Sequence, residues 1–287
     1  MTDLSLPPRN LVLLTGATGF VGRQVLRALV DRGCSVRLIV RAGSETRVRA
    51  TSGIEDVIQT DDLFRETPQW WADCCLGVDT IIHAAWFAVP GEYLQSEKNV
   101  DCLNGTLNLA KGAAAADVRR IVGVGTCFEY DLTDGVLSTT TPLRPLSPYA
   151  EAKAAAFLAL SQYCAAQNMA FAWCRLFYLY GEGEDARRLV PYIRAQLSAG
   201  QPAQLTSGTQ IRDYLDVRVA GERIVATALS HREGAVNICS GIPTTVRQLA
   251  ESFADEYGRR DLLAFGARPE NLVDPARVVG VVQDESD

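Results

Sequence analysis

The sequence predicts an α/β fold, a doubly wound parallel sheet with a smaller and less regular C-terminal lobe. Three observations carry this: short apolar runs of strand length, stretches of helical period between them, and a loss of that rhythm after Gly181. Parallel neighbours cannot be joined by tight hairpins, so strand, helix, strand repeated along a chain implies crossover helices on the faces of a parallel sheet.

Residues 11–15, LVLLT, form a continuous apolar run ending in a glycine-rich turn, the pattern of a strand buried on both faces. From Phe20 to Asp31, Val21, Val25, Leu26, Leu29 and Val30 recur at helical spacing, and Gly33 sits where a helix would stop. VRLIV (36–40) returns as a second strand. The alternation continues with VDTII (78–82), a helix over 99–116, RIVGV (120–124), a helix over 149–167, and the strand FAWCRLFYL (171–179). Beyond Gly181, GEGEDARR is charged and turn-rich and residues 199–210 read as loop, a place for a part that covers a substrate. A helix over 217–230, the strand AVNIC and a helix over 245–257 follow, before a tail containing proline and charge.

A chain of 287 residues can bury a full core. Hydrophobic residues at 47% and charged residues at 22% sit near the averages of globular proteins, against disorder and fibrous structure. The net charge of −6, without a dense Lys/Arg cluster, excludes the electrostatic footprint of nucleic acid or an anionic membrane surface. MTDLSLPPRN lacks the basic, apolar and small-residue succession of a signal peptide. No apolar run approaches the roughly 18 residues that span a bilayer, so a cytoplasmic protein is expected. The eight cysteines show no CxxC spacing and read as reduced, packed thiols. With His83 and His231 the only histidines, no metal site is expected.

Between the first strand and first helix lies TGATGFVG (15–22), with Gly16, Gly19 and Gly22 three residues apart around Thr18, Phe20 and Val21. Such glycines let the backbone turn tightly and let a pyrophosphate approach a helix N-terminus, where free N–H groups and the dipole favour negative charge. An apolar strand before and an amphipathic helix after supply the context a dinucleotide site needs. At the end of the second strand, where an acidic residue would hold the ribose diol of NAD, stands Arg41. A guanidinium there suits a 2′-phosphate, so NADP(H) is favoured and NAD(H) is the alternative; a solvated surface arginine would read the same way. In TDDLF (60–64), Asp62 could reach the adenine amino group beside Leu63, or simply be solvated.

Tyr149 and Lys153 are four apart on a helix that begins after Pro148, so both lie on one face. An ammonium near a phenol favours the phenolate and makes a proton carrier suited to neutral pH. Thr126, at the carboxyl end of a parallel strand, can donate a hydrogen bond to the same substrate oxygen.

Taken together, the chain resembles an extended short-chain dehydrogenase/reductase of the NAD-dependent epimerase/dehydratase family, and within it the nucleotide-sugar 4-ketoreductases. The resemblance covers nearly the full length, through TGATGFVG, HAA (83–85), Thr126, Tyr149, Lys153, RLFYLYG (175–181), RDYLDV (212–217) and VNICSG. It implies a Rossmann domain (1–180 and 209–240), a substrate-binding lobe (181–208 and 241–287), a nucleotide sugar between them, and a homodimer built through two helices per subunit. Ala84, Ala85 and Tyr178 would then join the cofactor site, with Lys153 also on the nicotinamide ribose and His83 packed nearby. Arg212 would contact the substrate diphosphate, with Cys127 and Phe128 towards the sugar; Trp86 could wall the sugar or pack in the core.

Family dehydratases resemble one another in carrying Asp-Glu directly after the threonine, where this chain has Cys127 and Phe128, so dehydration lacks its proton carriers. Cys127 could mimic the cysteine of enzymes that epimerise carbons 3 and 5, but the histidine they also need is missing from RLFYLYGEGEDARR. Three readings follow: reduction of a 4-keto-6-deoxy nucleotide sugar by NADPH, 4-epimerisation with retained NAD, and a non-catalytic NADP-sensing protein. The tail is shorter than the family pattern, so the small lobe is expected to be incomplete or completed by a partner subunit.

Overall fold

The structure, a computed structural model, describes residues 11–48, 52–270 and 274–283; the start read above as free of a signal peptide, residues 1–10, lies outside them. β1 (Leu11–Thr15) leads through the glycine loop into α1 (Phe20–Asp31), followed by β2 (Ser35–Arg41), β3 (Ile54–Thr60), α2 (Pro68–Cys74), β4 (Thr80–His83) and α3 (Lys98–Ala115). Next come β5 (Arg120–Thr126), β6 (Val136–Leu137), α4 (Pro148–Ala166), β7 (Ala170–Leu176) and β8 (Tyr178–Tyr180). The remainder is α5 (Leu189–Ser198), β9 (Ala203–Gln204), β10 (Ile211–Asp216), α6 (Val217–Leu229), β11 (Gly234–Ile238), β12 (Pro243–Thr245), α7 (Val246–Tyr257), β13 (Leu263–Ala264) and β14 (Arg277–Gly280).

Seven strands form the main sheet in the order β11-β7-β5-β4-β1-β2-β3, and every neighbouring pair is parallel. All residues of β1 and of β5 are buried, because helices cover both faces. Alternate residues go to opposite sides. Val12 and Leu14 meet Val25 and Leu29 of α1 and Ile224 of α6, whereas Leu11 and Leu13 meet Trp71, Leu109 and Leu160 of α2, α3 and α4. The strand order grows outward from β1 and β4, so the loops leaving these strands part and open a crevice at their carboxyl ends.

β3, α2 and α5 are among the elements that escape the sequence pattern. β3 is an edge strand whose residues are mostly half-buried or exposed, so IEDVIQT lacks a continuous apolar run. α2 has seven residues, too few to display a period; Thr67 caps it, accepting from Trp70 N at 3.2 Å, and Pro68 opens it. α5 lies in the stretch whose rhythm loosens, and buries Val190, Ile193 and Leu197 against Leu249 and Phe253 of α7. The run 171–179, expected as one strand, divides at Phe177: β7 belongs to the main sheet and β8 pairs with β10.

A second sheet has the order β12-β10-β14-β6, with β8 also on β10. β14, drawn from the tail, runs parallel to both β10 and β6. The buried Asp213 carboxylate ties this sheet to the end of β11, accepting from Ser240 N at 2.6 Å, Gly241 N at 2.8 Å and Gly280 N at 3.1 Å. All eight cysteines are unpaired and buried. Among the described residues no helix is long and apolar enough to cross a membrane.

Candidate active site

A cleft of about 890 Å³ opens at the carboxyl ends of β1, β4 and β5. At one end it is lined by Gly16, Thr18, Gly19, Phe20, Val21 and Gly22. Gly16 has φ +77°, and a Cβ there would lie 2.7 Å from Ala85 N, while one on Gly22 would lie 2.0 Å from Gly16 O. Only glycine lets the loop fold this tightly against α1 and Ala85. α1 starts from Gly19 with no side-chain cap and no acidic residue in its first turn. Its first N–H groups and the positive end of its dipole are thus left for an anion.

Arg41, Ser44 and Arg47 line the same end, both arginines exposed. Leu63 and Phe64 add an apolar side. Asp62, expected beside Leu63, does not line the cleft. Its carboxylate accepts from Phe64 N at 3.1 Å, an Asx turn, and pairs with Arg65 at 3.5 Å. Below the Ala84–Ala85 wall the buried His83 lies 2.8 Å from Thr15 Oγ1 through Nδ1 and 3.0 Å from Thr106 Oγ1 through Nε2. Thr106 donates to Cys102 O at 2.7 Å and so accepts from Nε2–H. Burial pulls His83 down to about 3, so the ring is a neutral post.

At the centre, β5 ends on Thr126, which starts a 3₁₀ turn over Cys127–Glu129. Thr126 Oγ1 accepts from Phe128 N at 3.3 Å, and the Glu129 carboxylate accepts from Thr126 N at 2.7 Å. Across from it, Ser147 caps α4, accepting from Ala150 N at 3.3 Å, with Pro148 in the first turn. The Tyr149 ring meets Tyr93 edge-on at 4.8 Å and Trp86 at 6.5 Å, and its phenol faces the Thr126 side chain. One turn on, the buried Lys153 donates from Nζ to Val124 O at 2.5 Å and stands 3.7 Å above the Trp86 ring. Trp86 thus contacts both Tyr149 and Lys153, its indole N–H donating to Asn99 Oδ1 at 2.8 Å.

The expectation that Lys153 lowers the Tyr149 pKa is not met. Burial, reinforced by Tyr93 and Glu129, pushes Tyr149 up, opposed by the nearby Thr126 hydroxyl. The ammonium is engaged by Val124 and Trp86, and burial pulls Lys153 itself down to about 7, with Glu129 resisting.

At the far end Phe128, Tyr178 and Tyr214 stack edge to face, at 6.1 Å and 6.0 Å. The buried Arg212 lies 5.2 Å over Tyr178 and donates from Nη2 to Asp274 at 2.6 Å. Tyr178, expected at the cofactor, lines the cleft and packs in this group, on β8 where the chain has left the main sheet; its buried hydroxyl has no hydrogen-bond partner among the described residues. Cys127 borders the cleft, yet its side chain packs with Leu137, Phe177, Cys239 and Val278, and burial pushes the thiol up. It is a core group and no mimic of a catalytic thiol.

Sequence reasoning overlooked Tyr93, Glu184 and Arg188, which also line the cleft, and assigned Glu129 no role. Burial raises Glu184 to about 7. The first three lie in turn-rich segments with neither period nor motif. Glu129 offered a signal only in its distance from Thr126, the three-residue step of a capping box.

A model of the NAD dependent epimerase/dehydratase family matches residues 12–239. Over 271 residues the chain is 25% identical to dTDP-6-deoxy-L-talose 4-dehydrogenase (NAD(+)) of Aggregatibacter actinomycetemcomitans, covering 94% of this chain and 98% of that protein. It is 26% identical over 265 residues to UDP-glucose 4-epimerase of Streptomyces lividans, covering 84% of this chain and 79% of that one. UDP-N-acetylglucosamine 4-epimerase of Methanobrevibacter ruminantium, solved in complex with UDP-N-acetylmuramic acid, shares the fold with a TM-score of 0.82 at 20% identity, over 94% of this chain and 89% of that one. The glycine loop, the parallel sheet and the Tyr149–Lys153 helix all fall within the matched span, and the chain belongs to the NAD dependent epimerase/dehydratase family.

Proposed function

We propose that this protein uses NADPH to reduce the 4-keto group of a 4-keto-6-deoxy nucleotide sugar. One observation carries the reading: Thr126, Tyr149 and Lys153 converge midway along a cleft with a glycine loop and two arginines at one end and Arg212 at the other. The nucleotide end fits a dinucleotide, since the uncapped α1 terminus and the close glycine turn leave room and N–H groups for a pyrophosphate. Ala84, Ala85, Leu63, Tyr149 and Lys153 would hold the rest of it, with Arg41 and Arg47 on a 2′-phosphate. When bound, the cofactor supplies the hydride.

Burial keeps the Tyr149 phenol protonated through neutral pH. In this reading it gives that proton to the carbonyl oxygen, and Thr126 donates a hydrogen bond to the same atom. Lys153 adds positive charge beside the developing oxyanion. Arg212 takes the diphosphate, Trp86 and Phe128 wall the sugar, and residues 181–208 and 241–287 cover it. Two subunits would pair through α3 and α4, whose Val100 and Leu158 are 59% and 56% exposed. Similarity to an enzyme named for dehydrogenation of a 6-deoxy sugar at position 4 supports the chemistry in the reverse direction.

Similarity to a UDP-glucose 4-epimerase favours the second reading, epimerisation with retained NAD. Incubation with NADPH and a set of 4-keto-6-deoxy nucleotide sugars separates the two. Stoichiometric NADPH oxidation is expected, with a product heavier by two hydrogens. Redox-neutral interconversion of sugars would point to the epimerase, and tight NADPH binding without turnover would leave a sensor.

A further inference from the structure

Beneath the floor of the cleft lies an ion pair to which the proposed reaction assigns no role. Glu129 and Arg175 are 0% and 1% exposed and meet at 2.7 Å. The carboxylate also accepts from Thr126 N at 2.7 Å and from the Trp173 indole N–H at 3.0 Å. Trp173 and Arg175 lie on β7 opposite Gly123 and Gly125 of β5. A Cβ on Gly123 would come 2.2 Å from the Trp173 ring, and one on Gly125 would come 2.5 Å from Glu129 Oε1. The last turn of β5 is therefore hollowed to seat this indole and this carboxylate. Lys153 Nζ lies 5.6 Å from the centre of the same indole, while the Arg175 guanidinium stacks on Tyr130 and Phe157, at 4.4 Å and 4.5 Å.

We propose that Glu129 is a positioning residue of the active site, whose carboxylate fixes the Thr126 turn and acts as the buried counter-charge of the Lys153 ammonium, with Trp173 between them. A buried ammonium needs a negative neighbour to stay charged. The titratable groups facing Lys153 come from four elements. His83 on β4 is neutral, Cys102 on α3 has its thiol pushed up to about 11 by burial, and Tyr149 on α4 is held protonated. Glu129, after β5, is the one carboxylate among them, on the indole N–H of the Trp173 ring that Lys153 also approaches.

The inference rests on Lys153 acting as a charged group of the proposed site, and its test needs no substrate. Lys98, Lys111 and Lys153 are the chain's three lysines, so biosynthetic ¹³C-lysine gives three side-chain signals, assigned with Lys98→Arg and Lys111→Arg. In Glu129→Gln the Lys153 titration midpoint is expected to fall by about one pH unit or more while the other two stay put. If that variant does not fold, Glu129→Gln with Arg175→Gln removes both ions of the pair, and a downward shift of the Lys153 midpoint is still expected, smaller because a buried cation has gone with the carboxylate. A Lys153 midpoint within about 0.2 units of wild type in a folded variant would overturn the proposal. On turnover, the loss should be larger at about pH 8 than at about pH 6, and an equal loss at both would also overturn it. Failure of the reductase reading appears separately, as absence of turnover in the wild type.

Discussion

Arg41 ends β2 with its side chain exposed at the cleft, beside Ser44 and Arg47. A guanidinium gains from a phosphate and gains little from a diol, so Arg41→Asp should move the preference from NADPH towards NADH by about tenfold or more. Binding titrations of both cofactors check this, and an unchanged ratio would remove the basis for preferring NADPH. Glu184 makes a second prediction at the same scale. Burial raises it from 4.5 to about 7, so between these values the folded chain holds a proton that the unfolded chain releases. The stability it contributes is present in full below pH 4.5 and is lost as pH rises through about 7. Urea unfolding across that window should show the decline in wild type and a flatter dependence in Glu184→Gln; parallel curves would contradict the assignment.

Among the elements, β5 is the most tightly specified. Gly125 lies under the Trp173 indole, and an added Cβ would approach its Nε1 to 2.2 Å in a site where neither ring nor backbone has room. Gly125→Ala should destabilise the protein by about 1–3 kcal/mol, read as a lower denaturant midpoint at unchanged slope; an unchanged midpoint would show the seat to be loose. β5 was legible in the sequence because it is buried on both faces, α1 because its apolar residues keep a helical period, and α4 because an alanine-rich run follows Pro148. β3, α2 and α5 were not, being edge-bound, seven residues long, or set among turns. Hydropathy could not divide 171–179 at Phe177, since both halves are apolar and only the sheet each joins differs. Thr126, Tyr149 and Lys153 were visible from a strand end and one helical turn. Glu129 was not, because Trp173 and Arg175, which give it its role, are 44 and 46 residues away.

For the whole molecule, the junction between the two sheets matters most, since the cleft lies across it. Asp213 holds that junction, with one buried carboxylate accepting from Ser240, Gly241 and Gly280 backbone N–H groups. Asp213→Ala strands these donors and should cost about 3 kcal/mol in chemical denaturation; a loss below about 0.5 kcal/mol would show that the sheets are held elsewhere. In the proposed reaction the two nucleotides would lie towards opposite ends of the cleft, and the hydride donor would meet the sugar carbonyl beside Thr126, Tyr149 and Lys153. The central claim, net hydride transfer to a sugar carbonyl, is tested most directly by supplying NADPH deuterated at its transferable position with a 4-keto-6-deoxy nucleotide sugar. Reduction predicts one deuterium on carbon 4 of the product for each NADPH oxidised. Product without deuterium, or sugars interconverted while the label stays on the cofactor, would contradict it.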